Sequence, residues 1–160
     1  MGCVVDELDG KLIDLFSTEP RIGVLEASRR LGVARGTVQA RLDKLAANGV
    51  VTGWGPRVHP AAMGFPVTGF LTLEIRQGAG HEQVAEHLAT IPEVLEAYTI
   101  TGAGDMWCRV VAASNTDLQR VIDLVLGDPA IVRSTTVIAL AEQVGYRVGP
   151  LVRAVSQVLP

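Results

Sequence analysis

Near Pro66 the spacing of apolar residues changes period, and this change limits the available folds more than any other feature of the chain. Before it, apolar side chains recur every three or four residues, the spacing that gathers them on one side of a helix. After it, Leu71, Leu73 and Ile75 alternate with Thr72, Glu74 and Arg76, the period of a strand buried on one face. At 160 residues, 48% hydrophobic and 19% charged, the chain is long and apolar enough for two small packed units. With 4% aromatic residues, their cores must be built from Val, Leu, Ile and Ala.

In the first half, Leu8, Leu12, Ile13, Leu15 and Phe16 predict a helix ended by Pro20. A second helix carries Val24, Leu25, Ala27, Ser28 and Leu31 and stops at Gly32. A third has Val38, Leu42 and Leu45 and stops at Asn48-Gly49. Three short helices with a Gly-containing turn between the last two form a helix-turn-helix outline. Val50-Val51-Thr52 predicts a small strand or wing, and the Gly/Pro-rich passage to Pro66 a linker. In the second half a strand around Phe70–Arg76 precedes a helix marked by Val84, Leu88 and Ile91. Strands follow over Val94–Thr101 and Met106–Ala113, joined by the turn Gly102-Ala103-Gly104-Asp105. Leu118, Val121, Ile122 and Val125 mark a helix capped by Ser114 or Asn115, and a last strand starts near Val132 and runs toward Tyr146. The halves echo each other, with Pro92 before Val94 and Pro129 before Val132. The pattern predicts an α+β chain: an N-terminal winged helix-turn-helix and a C-terminal βαββαβ ferredoxin-like sandwich. The expected limits are residues 1–52, a wing and linker over 53–66, the sheet domain over 67–150 and a tail over 151–160. Two helices on a four-stranded sheet leave one face open, expected to bury itself against a second subunit.

No apolar run approaches the roughly 18 residues of a membrane span, and the acids behind the start are wrong for a signal peptide. A soluble cytoplasmic protein with no membrane partner is expected. Cys3 and Cys108 lie too far apart in the chain to read as a disulfide framework, and Cys108 reads as a small core hydrophobe. His59, His81 and His87 lack metal-ligand spacing, so neither a metal nor a cofactor is expected. No nucleophile, base and oxyanion constellation is recognisable, which argues against an enzyme. The net charge of −3 conceals a segregation: from Pro20 to Arg57, seven bases face two acids, Glu26 and Asp43. That stretch is either the footprint for a polyanion or an ordinary solvated basic face.

Both halves resemble one family, the Lrp/AsnC (feast/famine) regulators. The resemblance runs from Leu8 to Phe16 (LDGKLIDLF) and from Glu26 to Val51 (EASRRLGVARGTVQARLDKLAANGVV), then through Tyr98–Ala112 (YTITGAGDMWCRVVA) and Val132–Leu140 (VRSTTVIAL). It implies a winged helix-turn-helix that binds double-stranded DNA and a RAM/ACT-like domain that binds a small effector, an amino acid or related metabolite. It also implies a homodimer, with tetramers or octamers built from it. Two departures stand out: Ala34 where such proteins often cap the recognition helix with Ser, and Gly104 where an aromatic often precedes the Asp.

Within that frame Arg35, Gly36, Thr37, Gln39 and Ala40 are the residues placed to meet base edges, Gly36 by letting backbone come close. Arg29, Arg30, Arg41 and Lys44 are candidate phosphate clamps, and Arg57 could act similarly from a wing. The turn Gly102–Asp105 lacks the third glycine of a dinucleotide fingerprint and opens a strand, so its plain role is a tight connection. The family places its effector near this loop at a subunit interface. Asp105 is thereby a candidate for an amino group, with Thr101, Gly102, Gly104, Ser134, Thr135 and Thr136 supplying hydroxyls or backbone groups. The alternative is an oligomeric metabolite-sensing module that does not bind DNA.

Overall fold

The computed structural model describes residues 5–158, with side chains to residue 156; Cys3 lies outside the described residues. The chain divides into two compact units, one formed up to Arg57 and again from Val144 onward, the other by Val58–Gln143.

The first unit starts with α1 (Glu7–Thr18), α2 (Val24–Leu31) and α3 (Arg35–Ala47). A reciprocal box opens α1: the Asp6 side chain accepts from the Asp9 amide at 2.9 Å, and the Asp9 carboxylate accepts from the Asp6 amide at 3.3 Å. Gly32 ends α2 at φ +67°, a left-handed conformation that costs a side-chain-bearing residue roughly 1 kcal/mol or more. Leu12, Ala27, Val38 and Leu42 form the core of these helices. Each fully buried Leu or Val there contributes roughly 1.5–3 kcal/mol.

The wing strand expected at Val50–Thr52 does not form, because the amides of Val50 and Val51 both donate to Leu45 O at the end of α3, at 2.9 and 3.1 Å. The chain beyond is fixed by Trp54, whose ring meets Phe16 edge-on at 5.5 Å.

The second unit opens with a 3-10 turn (Pro60–Met63) and continues as β1 (Val67–Ile75), α4 (His81–Ala89), β2 (Val94–Thr99), β3 (Met106–Ala112), α5 (Asn115–Val125) and β4 (Ile131–Ile138). The strands pair antiparallel in the order β2-β3-β1-β4, so β1 and β3 are central. Ser114 caps α5 by accepting from the Asp117 amide at 3.0 Å. Val84 and Leu88 of α4 and Leu118, Val121 and Val125 of α5 pack on Leu71, Leu73, Cys108 and Val110. Strand alternation turns Phe70, Trp107, Arg109 and Val137 to the other face, which neither helix covers. Phe70 and Trp107 stack there at 5.4 Å.

β4 stops at Ile138 and does not run on to Tyr146. The last ladder contacts are Ile138 opposite Gly69 and the Ala139 amide on Thr68 O, one residue from Val67, where β1 itself begins. The segment expected as a tail over 151–160 instead carries helix α6 (Gly149–Val158), packed on α1 within the first unit. The approach is close at Gly10, where a Cβ would lie 2.4 Å from Ser156 Cβ and Oγ. Arg153 pairs with Asp14 across the same contact. Among the described residues, no helix is long and apolar enough to cross a membrane.

Candidate functional site

α3 is seated by Val38, Leu42 and Leu45, spaced at i, i+4 and i+7 and all buried. The geometry that buries this stripe leaves Arg35, Gly36, Thr37, Gln39, Ala40 and Lys44 exposed on the remaining surface. Ala34, the residue before the helix, gives no side-chain cap; its carbonyl accepts from the Thr37 amide at 3.0 Å, and the Arg35 and Gly36 amides receive no cap from it. Gln39 donates to Asp43 Oδ1 at 2.8 Å, an i,i+4 bond along the exposed surface that base contact would have to break.

The four candidate phosphate clamps differ in how occupied they are. The Lys44 side chain is exposed, and Arg29, 70% exposed, pairs loosely with Glu26 at 3.8 Å. Arg30 is held by Glu19 and by Glu26 at 3.3 Å, and these bonds raise its pKa further. Arg41 is 30% exposed and turned toward α1, where its Nη1 bonds Asp6 and lies 3.0 Å from Asp9 Oδ1. The hydrogen bond from Arg41 holds the Asp6 carboxyl below its ordinary value. Nothing in the spacing of Arg41 indicated this; the signal available was the excess of acids ahead of α2.

In the second unit, the turn before β3 and the middle of β4 meet at one end of β1, since Met106 and Ser134 both lie opposite Leu73. Gly102 and Gly104 have φ of +101° and +88°. At Gly104 a Cβ would stand 2.4 Å from Thr72 Cγ2 and 3.2 Å from Leu73 O, so only glycine lets the turn lie this close to β1. Asp105 then donates its amide to Leu73 O at 2.8 Å, and its Oδ2 accepts from the Ile75 amide at 2.7 Å. Thr101, Gly102 and Thr135 are exposed. Ser134 and Thr136, half-buried, lie opposite Leu73 and Leu71 on the helix-covered face, so the trio 134–136 is divided between the two faces. Cys108 is fully buried in the core, and burial pushes its thiol up to about 11. A separate apolar cleft of about 420 Å³, lined by Val58, Met63, Phe65, Leu95, Arg109 and Val111 among others, includes none of the effector candidates.

A helix-turn-helix with an exposed third helix, carried in one chain with an antiparallel α+β unit, defines a DNA-binding regulator of two parts. The AsnC-type helix-turn-helix domain matches residues 5–46, and the Lrp/AsnC ligand binding domain matches residues 68–147. The chain belongs to the Lrp/AsnC family of transcriptional regulators, with a DNA-binding helix-turn-helix domain and a ligand-binding domain. It is 29% identical over 140 residues to the HTH-type transcriptional regulator FL11 of Pyrococcus horikoshii, covering 88% of this chain and 92% of that one. Escherichia coli AsnC superposes with a TM-score of 0.85 at 25% identity, over 92% of this chain and all of that one (100%). The feast or famine regulatory protein of M. tuberculosis, solved in complex with L-methionine, shares the fold with a TM-score of 0.80 at 24% identity, over 89% and 97% of the two chains. These relatives are regulators, not enzymes.

Proposed function

We propose that α3 enters the DNA major groove, with Arg35, Gly36, Thr37, Gln39 and Ala40 at base edges and Lys44 and Arg29 on phosphates, while the second unit binds an amino acid or related metabolite where subunits meet. The observation that carries the DNA reading is the division of α3. Its apolar stripe is buried, and its polar residues, including the N-terminal ones that recognition helices use, are exposed. For the ligand, support comes from the turn 102–105 and β4 meeting at one sheet end, and from a fold relative bound to L-methionine. Because Thr101, Gly102 and Thr135 are exposed on a single chain, a neighbouring subunit is needed to enclose a ligand there. The uncovered face bearing Phe70, Trp107 and Val137, like the apolar cleft, is the natural surface for a second copy, and the dimer pairs two recognition helices. The same reading places the protein in the cytoplasm. Effector binding then acts by favouring one arrangement of dimers over another.

The test is binding to a labelled duplex from immediately upstream of the protein's own reading frame, and to an unrelated duplex, at two salt concentrations. Expected is tight, salt-sensitive binding with a preference for the first duplex, lost on combining Arg35→Ala with Lys44→Ala and modulated by a panel of amino acids that includes L-methionine. Lack of preference for the upstream duplex removes autoregulation. A folded wild type with no DNA affinity at low salt replaces the reading with that of a metabolite-sensing module.

A further inference from the structure

We infer that Arg41 is a positioning residue: through Asp9 and Asp6 of α1 it sets the placement of α3 in the groove, and it does not itself contact DNA. The inference rests on α3 being the helix that enters the groove. Val38, Leu42 and Leu45 decide which side of α3 faces inward, but the hydrophobic effect that buries them is non-directional and supplies no directed bond. A guanidinium bonded to fixed carboxylates is directional. Arg41 lies midway along α3, and its Nη1 reaches two carboxylates that are themselves locked together as the box at the start of α1.

Asp9 is the strongest sign that this contact has a purpose. Its side chain is 0% exposed, with Oδ1 on Arg41 and Oδ2 on the Asp6 amide, so both oxygens are engaged inside the protein. Burying a carboxylate is costly, and an apolar residue would seal the same space with no such penalty; what an ion pair adds is a fixed geometry. The charges point the same way. One guanidinium between two carboxylates leaves the group with a net charge of about −1, which repels a phosphate. Among the described residues no comparable pair of carboxylates holds Lys44 or Arg35, and Arg35 begins the helix, where a base edge is reached first.

The experiment uses the full chain and two probes: a fluorescein-labelled duplex of random sequence, and the best duplex that the wild type selects from a randomised library. Folding is checked by circular dichroism, and affinities are measured over a range of salt. Each phosphate contact contributes about 0.9 to the slope of log affinity against log salt, so Lys44→Ala should lower that slope by about 1 and keep the preference for the selected duplex. Arg41→Met should leave the slope unchanged and cut the preference about tenfold or more, with Arg41→Lys recovering part of it. Asp6→Ser combined with Asp9→Leu should match Arg41→Met, because the pair removes both carboxylates that hold Arg41 while Ser keeps a cap on α1.

A slope that falls by about 1 in Arg41→Met with the preference kept overturns the inference. So does an Asp6→Ser, Asp9→Leu variant that binds more steeply with salt and keeps its preference, since freeing Arg41 would then have made a phosphate clamp. Should Arg41→Met fail to fold, the Asp6→Ser, Asp9→Leu pair and Arg41→Lys decide the question. A wild type that selects no sequence overturns both this inference and the reading of α3 on which it rests.

Discussion

The carboxylate of Asp105 supplies the Ile75 amide with an acceptor at the point where the β1–β4 register slips between Glu74 and Ile75. A buried or half-buried amide left without an acceptor costs roughly 1–3 kcal/mol. Asp105→Ala is therefore expected to lose about that much stability in urea titrations, whereas Asp105→Asn, which keeps an oxygen in place, loses less. This changes which variant reports on the effector. Asp105→Ala mixes turn stability with ligand recognition, while Asp105→Asn keeps the acceptor and removes the charge proposed to meet an amino group. Its effector response should vanish while the urea midpoint stays near that of the wild type; a retained response would remove Asp105 from the ligand site.

At the level of elements, the crossing of α6 over α1 depends on a missing side chain. Intrinsic helix propensity favours Ala over Gly by about 1 kcal/mol, yet at Gly10 the new methyl would stand 2.4 Å from Ser156. Gly10→Ala is expected to destabilise the first unit by about 1–3 kcal/mol, the usual range for overpacking. Adding Ser156→Gly should recover part of the loss. Thermal melts followed by circular dichroism measure both, and amide exchange in Gly149–Val158 identifies the helix that loosens. The same element marks how far sequence reasoning reaches. The three N-terminal helices, the strand alternation and the turn at Gly102–Asp105 were legible because each is fixed by local periodicity or backbone chemistry. Pro150 in the first turn, with Leu151, Val152 and Val155, was a fair local helix signal for α6, but its seat on Gly10 comes from the opposite end of the chain. The strand at Val50–Thr52 failed for the converse reason: suitable residues are present, but their amides are taken by the end of α3. In the candidate sites, the exposed residues of α3 followed from its spacing, whereas the roles of Arg41 and Asp105 are set by partners distant in sequence.

On the scale of the molecule, both units carry arginine-held carboxylates. In the second unit Arg120 bonds Glu93 at 2.5 Å and Asp117 at 2.7 Å, and holds both below their ordinary values of 4.5 and 3.8. Arg41 does the same for Asp6 in the first. A carboxylate with a depressed native pKa stabilises the fold above its unfolded value and loses that contribution as pH falls through the native one. Urea midpoints should therefore be flat with respect to these groups near neutrality and fall below about pH 4. Arg120→Met should flatten the acid limb attributable to the second unit; an unchanged limb would remove the Glu93–Arg120–Asp117 group as its cause.

The return of α6 to α1 also has a consequence for how the protein is made. Domains generally fold as units, N-terminal ones first, while the chain emerges from the ribosome. Here the unit that holds α1 is closed by α6, which follows the other unit in the chain, so all of Val58–Gln143 is synthesised before α1 receives its cover. The sheet unit can finish first, and a nascent chain stalled ahead of Gly149 would present its DNA-binding helices with one side of α1 still bare.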